Sequence, residues 1–253
     1  MKTPRVAQVG PGLHLVSGTN VNWAMVTEGD AVTLVDTGYP HDLGALLAGL
    51  DGIGRRPQDV VAVLITHAHL DHVGALPGFL AVHGAPVFTG PAEVAHLRGE
   101  YTEQITPAAM LGLTRRRAAR RWVRQTLRAV LPHLSVQVSA AQPATYGEPL
   151  DVPGRLVPIP ATGHTTGHTA WQVPDAGALL TGDALVSAHP VSRLPDGPQI
   201  LPPVFNHDEA DLMAGLRGLR SLPVDLLLPG HGPVLHGDIA TLIDRALETA
   251  ERR

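Results

Sequence analysis

Short apolar runs separated by turn residues make up the first third of the chain. The runs are GLHLVSG, NWAMVTEG and AVTLVDTG, and the turn residues at their boundaries are Gly, Asn and Asp. This pattern is typical of strands joined by turns. VVAVLITH is continuously apolar and β-branched, which predicts a strand buried on both faces, and APVFTG predicts another strand. Helical spacing of apolar residues predicts a helix over residues 41–54, and LDHVGALPGFLAVHG predicts the start of a second helix.

After a long helical stretch, the second half of the chain returns to short apolar runs separated by turn residues. Residues 107–134 predict a helix whose inner face consists of Leu113, Trp122, Val123, Leu127, Val130 and Leu131. GRLVPIPATGH, TAWQVP, GALLTGDAL and VDLLLPGH predict strands, whereas DEADLMAGLRGL and DIATLIDRALETAERR predict helices. VTLVDTG early and ALLTGDA late are both apolar strands that end at an Asp beside Gly. This echo suggests two similar layers facing each other within an α/β fold.

Composition narrows the class of protein. The chain has 253 residues, of which 44% are hydrophobic and 17% charged, so one globular domain over residues 1–253 is expected. A net charge of -4 gives no reason to expect nucleic acid as a partner. The absence of cysteine excludes disulfides, a thiolate nucleophile and Cys metal ligands. No signal peptide or membrane span is present in the sequence, so we expect a cytoplasmic protein without stable membrane insertion.

The segment LITHAHLDHVG concentrates metal-ligand side chains immediately after the buried strand. Alternate residues at the end of a strand point the same way, so His67 and His69 can meet one ion. Asp71 and His72 turn away at the start of the next helix and can meet a second ion. Zn²⁺ accepts both imidazole nitrogen and carboxylate oxygen. The spacing therefore suits two neighbouring metal sites.

Two ions require further ligands, and three later residues have matching settings. His164, Asp183 and His231 each follow an apolar strand and lie beside a glycine, which lets the backbone approach a site closely. The alternative is that these are unrelated residues in a chain that contains 14 histidines. Their repeated position at strand ends argues against coincidence.

Taken together, these motifs resemble those of the metallo-β-lactamase-fold hydrolases. H-x-H-x-D-H, a later Gly-His, an Asp ending an apolar strand and a last Gly-His occur in order, and LVDTG matches the first family motif. The resemblance covers residues 10–235 and implies a four-layer αββα sandwich with two Zn²⁺ ions at one edge. It assigns His67, His69 and His164 to the first metal; Asp71, His72 and His231 to the second; Asp183 as the bridge; and Asp36 to hydrogen bonds that orient the ligands. His168 is interpreted separately, as a residue that supports the ligands or the structure around them.

The activity implied by this resemblance is hydrolysis of a small ester, thioester or lactone. A metal-bridging hydroxide would attack the carbonyl, with Asp71 orienting it and shuttling its proton. The bridging Asp183 resembles that of thioesterases of the glyoxalase II type and of lactonases, although Val186 stands where the lactonases carry Tyr. A mononuclear iron (Fe) persulfide dioxygenase is the alternative, β-lactam hydrolysis is a conceivable side activity, and a catalytically inactive binding module would need a lost ligand.

Several features remain open at this level. Residues 91–135 form an Arg-rich helical insertion with three possible roles: a solvated face, a lid placing Arg or Trp122 over an anionic small-molecule substrate, or a membrane-surface helix. His189 and His207 belong to a loop that could line the pocket. The remaining histidines, at positions 14, 41, 83, 96, 133 and 236, are interpreted as surface residues. The oligomeric state stays open, a homodimer included.

Overall fold

The computed structural model describes residues 4–115 and 117–252, so Arg116 and Arg253 of the predicted helices lie outside the described residues. It contains two β-sheets. The first has strands in chain order: β1 (Arg5–Gly10), β2 (Leu13–Ser17), β3 (Asn22–Glu28), β4 (Ala31–Val35), β5 (Val60–Leu64), β6 (Val87–Thr89) and β7 (Gln142–Pro143). The second has the order β12-β11-β10-β9-β8, formed by β8 (Val157–Pro160), β9 (Thr169–Val173), β10 (Ala178–Gly182), β11 (Leu226–Pro229) and β12 (Leu235–His236).

The helices connect these strands. They are α1 (Leu43–Gly52), α2 (Leu70–Val73), α3 (Leu76–Val82), α4 (Val94–Leu97), α5 (Pro107–Leu113), α6 (Arg117–Val130), α7 (Glu209–Leu219) and α8 (Ile239–Glu251). Within the described ranges, no helix is both long and apolar enough to cross a membrane.

Alternation along each central strand produces three separate cores. In β3, Trp23 and Met25 join the core beneath α1 and α3, whereas Ala24 and Val26 face the other sheet. In β11, Leu227 packs toward α7 and α8 while its two neighbours in the strand face the first sheet. Successive side chains of a strand point to opposite faces, so each sheet needs a covering layer on both sides. The resulting order is helix, sheet, sheet, helix, and the predicted αββα sandwich is confirmed.

The core between the two sheets is centred on Trp171 of β9, whose side chain is fully buried. Its indole Nε1 donates a hydrogen bond to the carbonyl oxygen of Ile65, at 3.2 Å. Because Ile65 directly follows β5, this contact joins the second sheet to the start of the histidine-rich segment. The inter-sheet core thus supports the loop on which the site depends.

The structure adds a strand that the sequence did not predict and corrects one predicted helix. The first strand, β1, was not predicted, because its side chains are exposed or half-buried and it lies at the edge of its sheet. The continuous helix over 107–134 is wrong. Helix α5 ends at Leu113, a turn follows at Thr114–Arg115, and α6 ends at Val130, before Pro132. Proline lacks the N–H needed to continue a helix, which accounts for the early end.

Candidate metal centre

The candidate ligands follow the carboxyl ends of neighbouring strands. Strands β4 and β5 are parallel, as are β10 and β11. Contacts of His72 with Asp36 and Asp183 place the carboxyl ends of both pairs at one edge of the sandwich. Asp36 comes directly after β4 and Asp183 directly after β10, so the two halves of the sequence echo occupy central strands of opposite sheets. His67 follows β5 and His231 follows β11. Ligand sites of α/β proteins commonly lie at such ends.

The first cluster consists of His67, His69 and His164. One ring nitrogen from each lies within 4.8 Å of the others. Nδ1 of His69 is 3.1 Å from Nε2 of His164, and the rings of His67 and His164 have centroids 4.7 Å apart. Three imidazole nitrogens converging from two loops form a set that suits a transition metal such as zinc.

The second cluster adds two carboxylates to two imidazoles. Asp71, His72, Asp183 and His231 have ligand atoms within 4.8 Å of one another. Nε2 of His72 lies 3.3 Å from Oδ1 of Asp183. Nε2 of His231 lies 3.1 Å from Oδ2 of Asp183 and 3.4 Å from Oδ2 of Asp71. Oxygen and nitrogen ligands therefore face one point.

Asp183 lies between the two clusters. Besides its contacts within the second cluster, its Oδ2 is 3.6 Å from Nε2 of His164, a member of the first. Its carboxylate is buried, and the same Oδ2 that approaches His164 of the first cluster also approaches His231 of the second. A carboxylate in this position can be a ligand for ions in both clusters at once.

Hydrogen bonds from outside the clusters hold the rings in place. The carboxylate of Asp36 accepts from Nδ1 of His72 at 2.8 Å and from both the backbone N–H and the hydroxyl of Thr66, at 2.9 and 2.8 Å. Nδ1 of His164 meets the side-chain oxygen of Asn206 at 3.0 Å, and Nδ1 of His231 meets the backbone oxygen of Asn20 at 2.6 Å. Each of the three histidine contacts occupies Nδ1 of the ring and leaves Nε2 to bind an ion.

Buried polar atoms without partners test whether a metal fits. Among the described residues, Nε2 of His67, Nε2 of His72 and Oδ1 of Asp183 are buried and make no hydrogen bond. Such atoms are costly when nothing compensates their lost hydration. All three face the clusters, and their chemistry is that of metal ligands. The residues present therefore fit a divalent metal.

Burial and neighbouring charges set the two clusters apart electrostatically. Burial, together with the neighbouring histidines, holds the pKa of His67 well below its usual range and lowers the pKa of His69 to about 3. Burial also opposes the charged forms of His72 and His231. There the adjacent carboxylates outweigh it, raising the pKa of His72 well above its ordinary value and that of His231 to about 10. Burial would raise the pKa of Asp183, but its two histidine neighbours lower it. Burial thus disfavours protonated imidazoles in the first cluster, whereas the carboxylates of the second cluster favour them.

His168 belongs to neither ligand cluster but lies directly beside them. Its Nε2 accepts a hydrogen bond from the backbone N–H of Asp183 at 3.1 Å. The ring is fully buried and packs beside His67, with centroids 4.8 Å apart. The contact fixes the backbone that presents Asp183.

The Arg-rich insertion approaches the site through an aromatic residue. Trp122 of α6 is buried, and its ring lies 5.4 Å from that of His189, which in turn lies 5.1 Å from the ring of His231. The arginines of the described segment are all exposed: Arg115, Arg117, Arg120, Arg121, Arg124 and Arg128. The inward contact is therefore made by Trp122, and the arginines face outward.

A small cavity opens beside His164. Its volume is about 240 Å³, and its lining is Glu103, Gln104, Ile105, His164, Val204, Phe205, Asn206 and His207. His207 lines the cavity, with Nδ1 3.6 Å from Oε1 of Glu103. His189 is buried against Trp122 instead. Of the two loop histidines, His207 is the one at this cavity.

Sequence reasoning missed the residues that orient the rings. Asn206, Thr66 and Glu103 carry no motif of their own, and they are recognised only from their contacts with the rings. The interpretation of His96 as a surface residue is wrong: it is 3% exposed and takes part in a hydrogen-bond network next to the first cluster. No spacing pattern in the sequence signals this.

Gly230→Ala is expected to reduce activity by about 100-fold, because a misplacement of about 1 Å at a reacting centre has effects of that order. A Cβ at this position would lie 2.3 Å from Oδ1 of Asp183 and 2.8 Å from Cε1 of His72, so a metal-ligand side chain must move. The effect is measured as the rate of hydrolysis of a chromogenic ester by Gly230→Ala relative to the wild type.

The matched control is Gly218→Ala. Gly218 lies in α7 and has open space where its Cβ would be, and alanine favours the helix. It should leave activity unchanged. Equal activity of Gly230→Ala and Gly218→Ala would contradict the proposed geometry.

Comparison with known proteins agrees with this arrangement. A family described as the metallo-beta-lactamase superfamily matches residues 16–231, most of the chain. The chain belongs to this superfamily. The resemblance predicted from the motifs is confirmed, and the His and Asp clusters of a superfamily member imply a divalent metal.

Individual relatives carry hydrolase names. A probable metallo-hydrolase of Bacillus subtilis, YflN, is 25% identical over 222 residues, covering 83% of this chain and 79% of the relative. A hydroxyacylglutathione hydrolase of Cupriavidus taiwanensis is 31% identical over 210 residues, covering 81% of this chain and 60% of the relative. The chain thus spans less than two thirds of the length of that hydroxyacylglutathione hydrolase.

Solved structures share the fold of this superfamily member. A metallo-beta-lactamase of Cronobacter sakazakii has a TM-score of 0.70 at 19% identity, covering 99% of this chain and 93% of its own. A metallo-beta-lactamase family protein of Thermus thermophilus has a TM-score of 0.65 at 24% identity, covering 97% and 81%. At these identities the comparison establishes the fold alone.

Proposed function

We propose that this protein is a dinuclear zinc hydrolase that cleaves a small ester, thioester or lactone. The observation that carries the proposal is the position of Asp183, whose carboxylate lies within 3.6 Å of histidine nitrogens from both ligand clusters. A shared carboxylate is what two adjacent metal sites require. His67, His69 and His164 would hold one ion, Asp71, His72 and His231 the other, and Asp183 both.

Zinc ions at these positions would supply Lewis-acid polarisation of a carbonyl and lower the pKa of water to about 7. The chain itself would supply orientation and proton handling. Asp71 is suited to this because its side chain is 18% exposed, whereas those of Asp183 and His72 are buried. From there it can hold the attacking water and accept its proton. No cysteine is available as a nucleophile.

The cavity beside His164 supports a small substrate. Its volume of about 240 Å³ is below the range of about 300–1,000 Å³ that is common for drug-sized ligands. Its lining combines three apolar side chains, Ile105, Val204 and Phe205, with a larger number of polar ones. None of its lining residues, all within the described ranges, is Lys or Arg to bind the carboxylates of a glutathione moiety. We therefore favour a small thioester, ester or lactone over hydroxyacylglutathione itself.

Purified without chelator, the protein is expected to contain about two zinc ions per chain, one for each cluster. Elemental analysis measures this. About one iron and little zinc would overturn the proposal in favour of a mononuclear iron dioxygenase. If the protein binds no metal after zinc is supplied, both the zinc hydrolase and the iron dioxygenase are contradicted.

A substrate panel then separates the classes. It should contain short-chain thioesters, esters and lactones, hydroxyacylglutathione, and a β-lactam as the side-activity arm, each assayed with the zinc-loaded and the chelator-treated protein. Cleavage of a short acyl compound that requires zinc supports the proposal. A preference for hydroxyacylglutathione would contradict the size argument, and zinc-independent cleavage would contradict the mechanism.

A further inference from the structure

Glu93, at the start of α4, is a fully buried carboxylate outside both ligand clusters. Burying a carboxylate is costly unless hydrogen bonds compensate it. Replacing it with an apolar side chain would remove that cost, so its presence calls for a reason. Its hydrogen-bond partners indicate one.

The partners of Glu93 belong to the two loops that carry the first cluster. Its Oε1 accepts from the backbone N–H of Ala68 at 2.8 Å, the residue between His67 and His69. Its Oε2 accepts from the hydroxyl of Thr165 at 2.9 Å and from the backbone N–H of Gly167 at 3.1 Å, just after His164. One carboxylate therefore joins both loops.

A second connection runs through His96. Nε2 of His96 accepts a hydrogen bond from the backbone N–H of Glu103 at 3.1 Å, so its proton is on Nδ1, which donates to Oε1 of Glu93 at 2.7 Å. The carbonyl oxygen of Glu103 accepts from Nε2 of His69. Nδ1 of His69 is then free of its proton and faces the cluster, and it is the nitrogen that lies nearest His164.

We propose that Glu93 is a positioning residue for one metal ion, the one held by His67, His69 and His164. It fixes the spacing of the two loops directly and, through His96 and Glu103, sets which nitrogen of His69 faces the ion. None of its hydrogen bonds described here reaches Asp71, Asp183 or His231. The inference rests on the proposed two-metal site and adds that its two halves are supported separately.

The test is Glu93→Gln, which keeps the size of the side chain but replaces one acceptor oxygen with an NH2 group that can only donate. We expect affinity for one of the two zinc ions to fall by about 10–100-fold, as is usual when support for a ligand is removed, while the other is retained. Competition with a graded chelator, read as zinc per chain, measures this. The melting temperature of the metal-free variant should stay near that of the wild type.

The control is Glu100→Gln, an exposed glutamate a few residues further on. It should match the wild type in both zinc affinities. Parallel weakening of both zinc ions in Glu93→Gln, with a lowered melting temperature without metal, would show a general structural role and overturn the inference. If Glu93→Gln kept its affinity for both zinc ions, the inference would be overturned as well.

A second variant covers failure of Glu93→Gln to fold. His96→Phe removes both ring nitrogens and so breaks the connection to Glu103 and His69, but it leaves the direct bonds of Glu93 to Ala68, Thr165 and Gly167. The same selective loss is therefore expected. Equal loss of both ions, or of neither, would contradict the inference. Wild-type protein that binds fewer than two metal ions would instead overturn the proposed function, which distinguishes the two failures.

Discussion

Asp183→Asn is expected to lower kcat/KM by about 1,000-fold and to leave fewer than two zinc ions per chain. Metal ions contribute several kcal/mol to stabilising the transition state, and each 1.36 kcal/mol corresponds to a factor of about ten. The amide keeps the size of the carboxylate but loses its charge and one acceptor oxygen. Since Asp183 contacts His72, His164 and His231, both metal positions should weaken together. Zinc content and hydrolysis rates are measured on the same preparation.

The control for this variant is Asp225→Asn. Asp225 is exposed and lies just before β11, at the opposite end of the strand from His231. The same chemical change there should leave zinc content and rate as in the wild type. If Asp183→Asn retained two zinc ions and a rate within about threefold of the wild type, Asp183 would not be the shared ligand.

Trp171→Ala is expected to lower the free energy of unfolding by about 3–5 kcal/mol, the range observed for removing a large aromatic side chain from a core. Trp171 is fully buried between the sheets, so the cavity left behind could close only by moving them. Its hydrogen bond to Ile65 would also be lost. Denaturant unfolding of the metal-free protein measures the change without a contribution from bound ions.

Trp171→Phe separates the two effects. It keeps most of the ring and loses the indole N–H, so a smaller cost of about 1 kcal/mol is expected from the missing hydrogen bond, in addition to a small packing loss. Equal destabilisation by the two variants would mean that the hydrogen bond, and not the packed volume, dominates.

Residues that follow regular strands were predictable from the sequence. His67, His69, Asp183 and His231 come after continuous apolar runs, and a buried strand determines where its end lies. Most of the longer strands and helices were predicted for the same reason. Helical periodicity in residues 107–134 concealed the turn at Thr114, because that periodicity continues on both sides of it.

Contacts between distant loops could not be predicted. Glu93 and His96 resemble ordinary polar residues of a short helix, and only the fold brings them to Ala68 and Glu103. The edge strand β1 was missed because its half-exposed side chains lack a clear alternation. The sequence therefore identified the candidate ligands better than the residues that hold them.

The ligand clusters also bear on the durability of the fold. His69 and His164, whose nitrogens are 3.1 Å apart, come from loops of opposite sheets and are separated by 95 positions in the chain. An ion held between such loops acts as a removable cross-link. In the unfolded chain, keeping the segment between the two ligands closed would cost conformational entropy. Ligand binding to the folded state alone adds about 2.7 kcal/mol to stability at a free concentration of 100 times Kd. Metal supply would then govern the lifetime of the folded chain as well as its turnover.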